Sequence, residues 1–169
     1  IQQGRTFSYF LHRGTPEVLI TQNDIRAIQL AKAALYAGAK LLMDKLGVKK
    51  VDKIRLAGAF GSHIDVKYAM ILGMIPDCKI DMVTSAGNAA STGARMALLD
   101  TASRDEIESE IRKIEKIETA METKFQEYFV DAMAIPHNID DFSELSKIVN
   151  LPKKTISQKP KRRRHTTKS

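Results

Sequence analysis

Residues 54–65 read IRLAGAFGSHID, and the reading of this stretch decides the class of fold. Residues 53–56 have the short, partly apolar pattern of a strand. Gly58 and Gly61 then bracket Ala59 and Phe60, and VKYAMILG (66–73) continues at helical spacing before Gly73 and Pro76. Strand, glycine turn and helix in that order make the repeating unit of an α/β fold. A turn this rich in small residues does one of two things. It packs its strand and helix closely, or it presents backbone N–H groups to a ligand.

The same unit recurs downstream. Residues 79–83 are read as a strand, SAGNAASTGA (85–94) as a second small-residue turn, and the residues through Leu99 as its helix. Upstream, two apolar runs separated by HRGTPE (12–17) predict a strand pair. NDIRAIQLAKAALYAGAKLLMDKLG (23–47) predicts a long helix, capped by Thr21 or Asn23, with Ile25, Ile28, Leu35, Leu42 and Leu46 marking its apolar face and Gly47 ending it. Its mid-helix cluster of Ala31, Ala33, Ala34, Ala37, Gly38 and Ala39 suits close packing against a sheet. From residue 104 the spacing of Ile107, Ile111, Ile114, Met121, Phe125, Phe129 and Met133 predicts one helix, or two with a break near Thr119. Residues 138–149 read as a short final helix. Residues 1–150 thus form one domain, and 151–169 a disordered basic tail.

The formal net charge of +7 suggests nucleic acid, but its location argues otherwise. Residues 153–169 hold eight Lys and Arg and no acid, leaving 19 basic against 20 acidic residues in the remainder. A nucleic-acid role would rest on the tail alone, through salt-sensitive phosphate contacts. The single cysteine, Cys78, excludes an internal disulfide and any cysteine-ligated cluster within this chain, which suits a reducing cytoplasm. No apolar run approaches membrane-spanning length. The opening without Met reads as the middle of a longer protein.

Individual side chains carry weaker signals. Lys32 reads as an exposed lysine that can also reach an acidic ligand. His63 and Asp65 could pair on a metal, but no third ligand is near and turn capping is the better reading. Asp24 suits a helix cap, His12 and His137 surface loops, and Cys78 a bland small residue rather than a catalytic thiol. No catalytic residue and no metal ligand is assigned.

Four blocks together go further than any one turn. ITQNDIRAIQLAKAALYAGAKLL (20–42), IRLAGAFGSHIDVKYAMILGMIPD (54–77), GNAASTGARMALL (87–99) and FQEYFVDAMAIPH (125–137) resemble the C-terminal part of the ATP-dependent reductive activators of corrinoid proteins. The resemblance covers residues 18–137. It implies a ribonuclease-H-like half of an actin-like ATPase fold, similar to the acetate and sugar kinases, heat-shock chaperones and actin, with helices packed on a small mixed sheet. It also implies a strand within residues 114–119, against the helical reading of that stretch.

In that scheme Gly58, Ala59, Phe60 and Gly61 approach the nucleoside and inner phosphates of ATP, while Gly87 and Asn88 open the helix on the other side. Magnesium and a phosphate-binding loop would be served by an earlier half of the fold, so this chain alone is not expected to hydrolyse ATP. The implied chemistry is return of Co(II) corrinoid to Co(I), with an iron–sulfur cluster outside this chain carrying the electron. The implied partner is a corrinoid protein or corrinoid methyltransferase, and a homodimer is compatible with the reading. The alternative is a docking or dimerisation domain that has lost its nucleotide. Deleting the tail separates the nucleic-acid reading from both.

Overall fold

The computed structural model describes residues 2, 3, 6–58, 61 and 63–151. Strands β1 (Gln2–Gln3), β2 (Thr6–His12) and β3 (Val18–Thr21) form an antiparallel meander, with HRGTPE joining the second and third as expected. Helix α1 (Gln22–Lys45) follows directly, because Thr21 ends β3 and also caps the helix. The Thr21 hydroxyl accepts from the Asp24 N–H at 3.2 Å, and the Asp24 carboxylate accepts from the Thr21 N–H at 2.8 Å. This reciprocal box satisfies N–H groups that a helix start leaves open, and its hydrogen bonds hold the Asp24 carboxyl below its ordinary value.

The inward face of α1 is not the one its large apolar residues predicted. Lys32, Ala33, Tyr36, Ala37 and Leu41 are buried, whereas Ile25, Ile28, Leu35, Leu42 and Leu46 are 38, 37, 52, 52 and 77% exposed. Its main neighbour is a helix, α5 (Thr123–Ala132), rather than a sheet. The small-residue cluster divides accordingly: Ala33 and Ala37 are wholly buried, while Ala31 and Ala34 are exposed. The helix is apolar on two sides. Spacing alone cannot tell which side this chain fills.

Strand β4 (Ile54–Ala57) leads through the first glycine turn to α2 (Val66–Leu72). Asp65 caps α2 by accepting from the Tyr68 N–H at 3.2 Å, and Gly73 closes it in the left-handed conformation at φ +71°. The next strand is displaced from its expected place. Residues Ile80–Met82 make a 3-10 turn, and β5 runs Val83–Gly87, so Ser85 and Ala86 belong to the strand and the second turn narrows to the passage from Gly87, the last strand residue, through Asn88 into α3. Only Val83 of β5 is buried, which is why hydrophobicity did not mark it. The α/β class holds, with strands divided between the antiparallel meander and a parallel β4–β5 pair.

Helices α3 (Ala89–Leu99) and α4 (Thr101–Ile111) meet at Asp100, which ends one and caps the other. The chain then breaks at residues 112–118, earlier than expected, before a 3-10 turn (Thr119–Met121) and α5. Neither the helix read from spacing nor the strand implied by resemblance forms at 114–118. Five of the nine residues from 110 to 118 are Glu or Lys, which stay in water more readily than they pack. The final helix, α6, is one turn (Ser143–Ser146). Tyr36, Ala69, Met70, Val83, Phe142 and Leu145 bring α1, α2, β5 and α6 into one core. The basic tail beyond Leu151 lies outside the described residues.

Candidate functional site

The two glycine turns lie side by side. Strands β4 and β5 pair in parallel, Ile54 with Val83 through Leu56 with Ser85, and a register shift then sets Ala57 opposite Gly87. Beyond the last strand residue, the Gly58 N–H donates to the Gly87 carbonyl at 2.8 Å. Gly58 and Gly87, 29 positions apart in sequence, therefore share the carboxyl ends of neighbouring parallel strands, the place where α/β sheets usually receive ligands.

Each glycine is there for its own reason. Gly58 and Gly87 have φ of +113° and +61°, and a Cβ on either would meet nothing within 4 Å, so backbone conformation rather than crowding requires glycine at both. Gly61 is the reverse case: it is buried, and a Cβ would stand 3.0 Å from the Leu56 carbonyl oxygen. Its N–H returns to the Gly58 carbonyl at 3.1 Å. The N–H groups of Gly58 and Gly61 thus serve the turn itself. Outward donors come instead from α3, whose first N–H groups have no carbonyl one turn earlier. Asn88 holds that helix start, its side-chain oxygen accepting from the Ser91 N–H at 3.1 Å. Ala59 and Phe60 lie outside the described residues.

A cavity of about 440 Å³ opens at the other end of the parallel pair, next to Val51, Asp52 and Met82, which precede the strands. Its walls include Lys40, Lys50, Asp77 and Cys78. Cys78 is buried, and burial raises its thiol. Asp77 accepts from the Glu144 and Leu145 N–H groups at 2.8 and 3.1 Å and so anchors α6.

Two residues correct the sequence reading. Lys32, expected in solvent, is 2% exposed, and His137, expected on a surface loop, is 5% exposed. The Lys32 Nζ donates to the Pro136 carbonyl at 2.7 Å and also to the Ala134 carbonyl. Burial lowers its pKa to about 8, and a neutral amine keeps two N–H bonds for those two acceptors. His137 Nδ1 accepts from the Asp140 and Ile139 N–H groups at 2.8 and 3.2 Å, and its ring lies 4.7 Å from that of Tyr36. Burial disfavours its charged form.

Tyr36 donates to Asp140 at 2.8 Å, and Lys40 pairs with the same carboxylate at 2.8 Å. Burial raises the Asp140 carboxyl, but these hydrogen bonds outweigh it and hold the group below its ordinary value. The partners in this network are about 100 residues apart in sequence, which no local pattern could register. Its role is to fasten the chain after α5 onto α1. His12 and His63 are exposed. Among the described residues no group of three or more His, Cys, Asp or Glu is placed to hold a metal ion. No described helix is long and apolar enough to cross a membrane.

A family model described as the C-terminal domain of RACo, the ASKHA domain, matches residues 1–146. The corrinoid activation enzyme RamQ of Eubacterium limosum is 41% identical over 116 residues, covering 68% of this chain and 20% of the relative. A solved structure, a reductive activator for corrinoid, iron–sulfur protein, superposes with a TM-score of 0.67 at 31% identity, covering 77% of this chain and 22% of that one. The chain spans about a fifth of the length of both. Matching the family over residues 1–146 and sharing its fold with the solved activator, this chain belongs to the family of C-terminal ASKHA domains found in the reductive activators of corrinoid proteins.

Proposed function

We propose that this chain is the C-terminal, ATP-binding part of an iron–sulfur protein that reductively activates corrinoid proteins in the cytoplasm, returning Co(II) to Co(I) for methyl transfer. The observation that carries the nucleotide part is the 2.8 Å hydrogen bond from Gly58 to Gly87, which unites two glycine turns at the carboxyl ends of parallel strands. The residues fit such a ligand: Gly58 and Gly87 leave their Cβ positions open, and the start of α3 beside them offers N–H donors and the positive end of a helix dipole.

Gly58, Ala59, Phe60, Gly61, Gly87 and Asn88 are the proposed nucleotide contacts. Gly58 and Gly61 act chiefly by shaping the turn, and Asn88 by holding α3. ATP bound with magnesium supplies the free energy for an uphill electron transfer; the magnesium ligands and the iron–sulfur cluster belong to other parts of the polypeptide. Nucleotide binding would drive closure only through a difference in affinity between open and closed forms, and closure would govern docking of the corrinoid protein or methyltransferase.

Calorimetric titration of magnesium ATP and ADP tests the reading. It would use this 169-residue chain and the polypeptide extended to its natural amino terminus. Binding by the extended polypeptide, weakened by substitution at the α3 start, is expected. Absence of binding to either at millimolar nucleotide would leave the domain a docking module and sink the proposal.

A further inference from the structure

We infer that the cavity at the amino ends of β4 and β5 is a binding site for a phosphate monoester with a compact apolar body. Its volume of about 440 Å³ is within the range of small-molecule sites. Segments distant in sequence wall it: α1 through Tyr36 and Lys40, the approach to β4 (residues 49–52), the passage from α2 toward β5 (residues 76–79), and the chain entering α6.

Hydrogen bonds between these walls hold them in place. The Cys78 thiol donates to the Asp52 carbonyl at 3.5 Å, joining the two approaches to the parallel pair. Asp77 accepts from the Glu144 and Leu145 N–H groups at 2.8 and 3.1 Å, tying the passage after α2 to α6. Asp140 accepts from Tyr36 and Lys40, each at 2.8 Å, tying α1 to the chain before α6. The space is therefore organised in advance, and binding a ligand there carries little ordering cost.

The charges of the lining select the ligand. The Asp77, Asp140 and Glu144 carboxylates are already engaged, Glu144 by Lys147 at 2.6 Å. Lys49, Lys50 and Lys79 are exposed at the cavity, and among the described residues no hydrogen bond or ion pair occupies their ammonium groups. Lys50 and Lys79 come from different walls, yet both favour the ionised form of Glu144 after the larger effect of its bond to Lys147, so their charges act on one place.

Uncommitted ammonium groups suit the roughly twofold negative charge and the acceptor oxygens of a phosphate monoester. A nucleoside triphosphate suits the cavity less, because its further charges would face the carboxylates of Asp52 and Asp141. Met43, Val51, Pro76 and Met82 give the rest of the lining its apolar character and would receive the body of the ester. The site is at the opposite end of β4 and β5 from Gly58 and Gly87, and the inference does not rest on nucleotide binding.

Calorimetric titration of phenyl phosphate and inorganic phosphate into the polypeptide extended to its natural amino terminus tests it. Phenyl phosphate is expected to bind with Kd on the order of 0.1–1 mM, and inorganic phosphate at least about fivefold more weakly. Lys50→Ala and Lys79→Ala should each weaken phenyl phosphate about three- to tenfold with the circular dichroism unchanged, since both residues are exposed. Met82→Ser, which removes only apolar wall, should weaken phenyl phosphate about threefold or more and leave inorganic phosphate unchanged. Ala90→Asp, at the start of α3, changes the net charge as much as either lysine variant and should leave phenyl phosphate binding intact.

No binding at about 10 mM phenyl phosphate, or an affinity indifferent to both lysine variants, would overturn the inference. Inorganic phosphate bound as tightly as the ester would do the same. So would loss of binding on Ala90→Asp, because the phosphate would then sit at the glycine turns.

Discussion

Among the described glycines Gly73 leaves the least room for a side chain, and Gly73→Ala should destabilise the chain by about 3–5 kcal/mol. Its φ of +71° costs an alanine roughly 1–2 kcal/mol. The added Cβ would also stand 2.0 Å from the Pro136 carbonyl oxygen and 2.8 Å from its carbon, so backbone must move by more than an ångström. That same carbonyl accepts the 2.7 Å hydrogen bond from buried Lys32, and disturbing a bond from such a group costs about 1.5–3 kcal/mol.

Gly47 provides the control. Its φ is +67°, yet an added Cβ meets nothing within 4 Å, so Gly47→Ala should cost only the backbone strain of about 1–2 kcal/mol. The change that alanine makes to the unfolded chain is common to both and cancels in the difference. Urea unfolding followed by circular dichroism should separate the two variants by about 2–3 kcal/mol. In melting temperature, Gly73→Ala should fall about 10 °C below wild type, at the 2–4 °C per kcal/mol usual for domains near this size. Equal losses for the two glycines would refute the argument from close approach.

Three further outcomes follow from the two polar regions. Ala90→Asp, at the exposed start of α3, should stabilise the helix by about 0.3–1 kcal/mol through its dipole while weakening nucleotide binding to the extended polypeptide roughly tenfold or more by calorimetry; unchanged affinity would remove α3 from the site. Between pH about 8 and 10.5 the unfolded chain still holds the Lys32 proton while the folded chain releases it, so stability relative to Lys32→Met should rise with pH across that window. Cys78 and Tyr36, whose pKa values burial raises, act on both chains and cancel; a pH-independent difference would contradict the burial argument. His137 is held neutral below its ordinary value of 6.5, so its contribution is present above that pH and lost as the pH falls. His137→Asn, which keeps an acceptor near Nδ1, should flatten the loss of urea resistance on acidification, and an unflattened profile would assign it elsewhere.

Much of this architecture could be read from the chain because its signals are local. Thr21 with Asp24, Asp65 before α2, and Gly47 and Gly73 after their helices are start and stop signals acting within a few residues, and they placed the long helix and the first glycine turn. The four blocks led to the family for the same reason, being contiguous runs of residues. What folding alone decided is the meeting of distant groups. No periodicity joins Gly58 to Gly87, because a parallel pair needs an intervening crossover, and nothing local told that β5 would begin at Val83.

Lys32 looks like a surface residue until the chain after α5 delivers carbonyl partners from about 100 residues away, and so does His137 until that same chain folds onto α1 and sets its ring 4.7 Å from that of Tyr36. Burial of a polar group depends on whether its hydrogen bonds are met, and that is settled by packing. The two apolar sides of α1 show the same limit: composition announces both, and tertiary contact fills only the one carrying Ala33 and Tyr36.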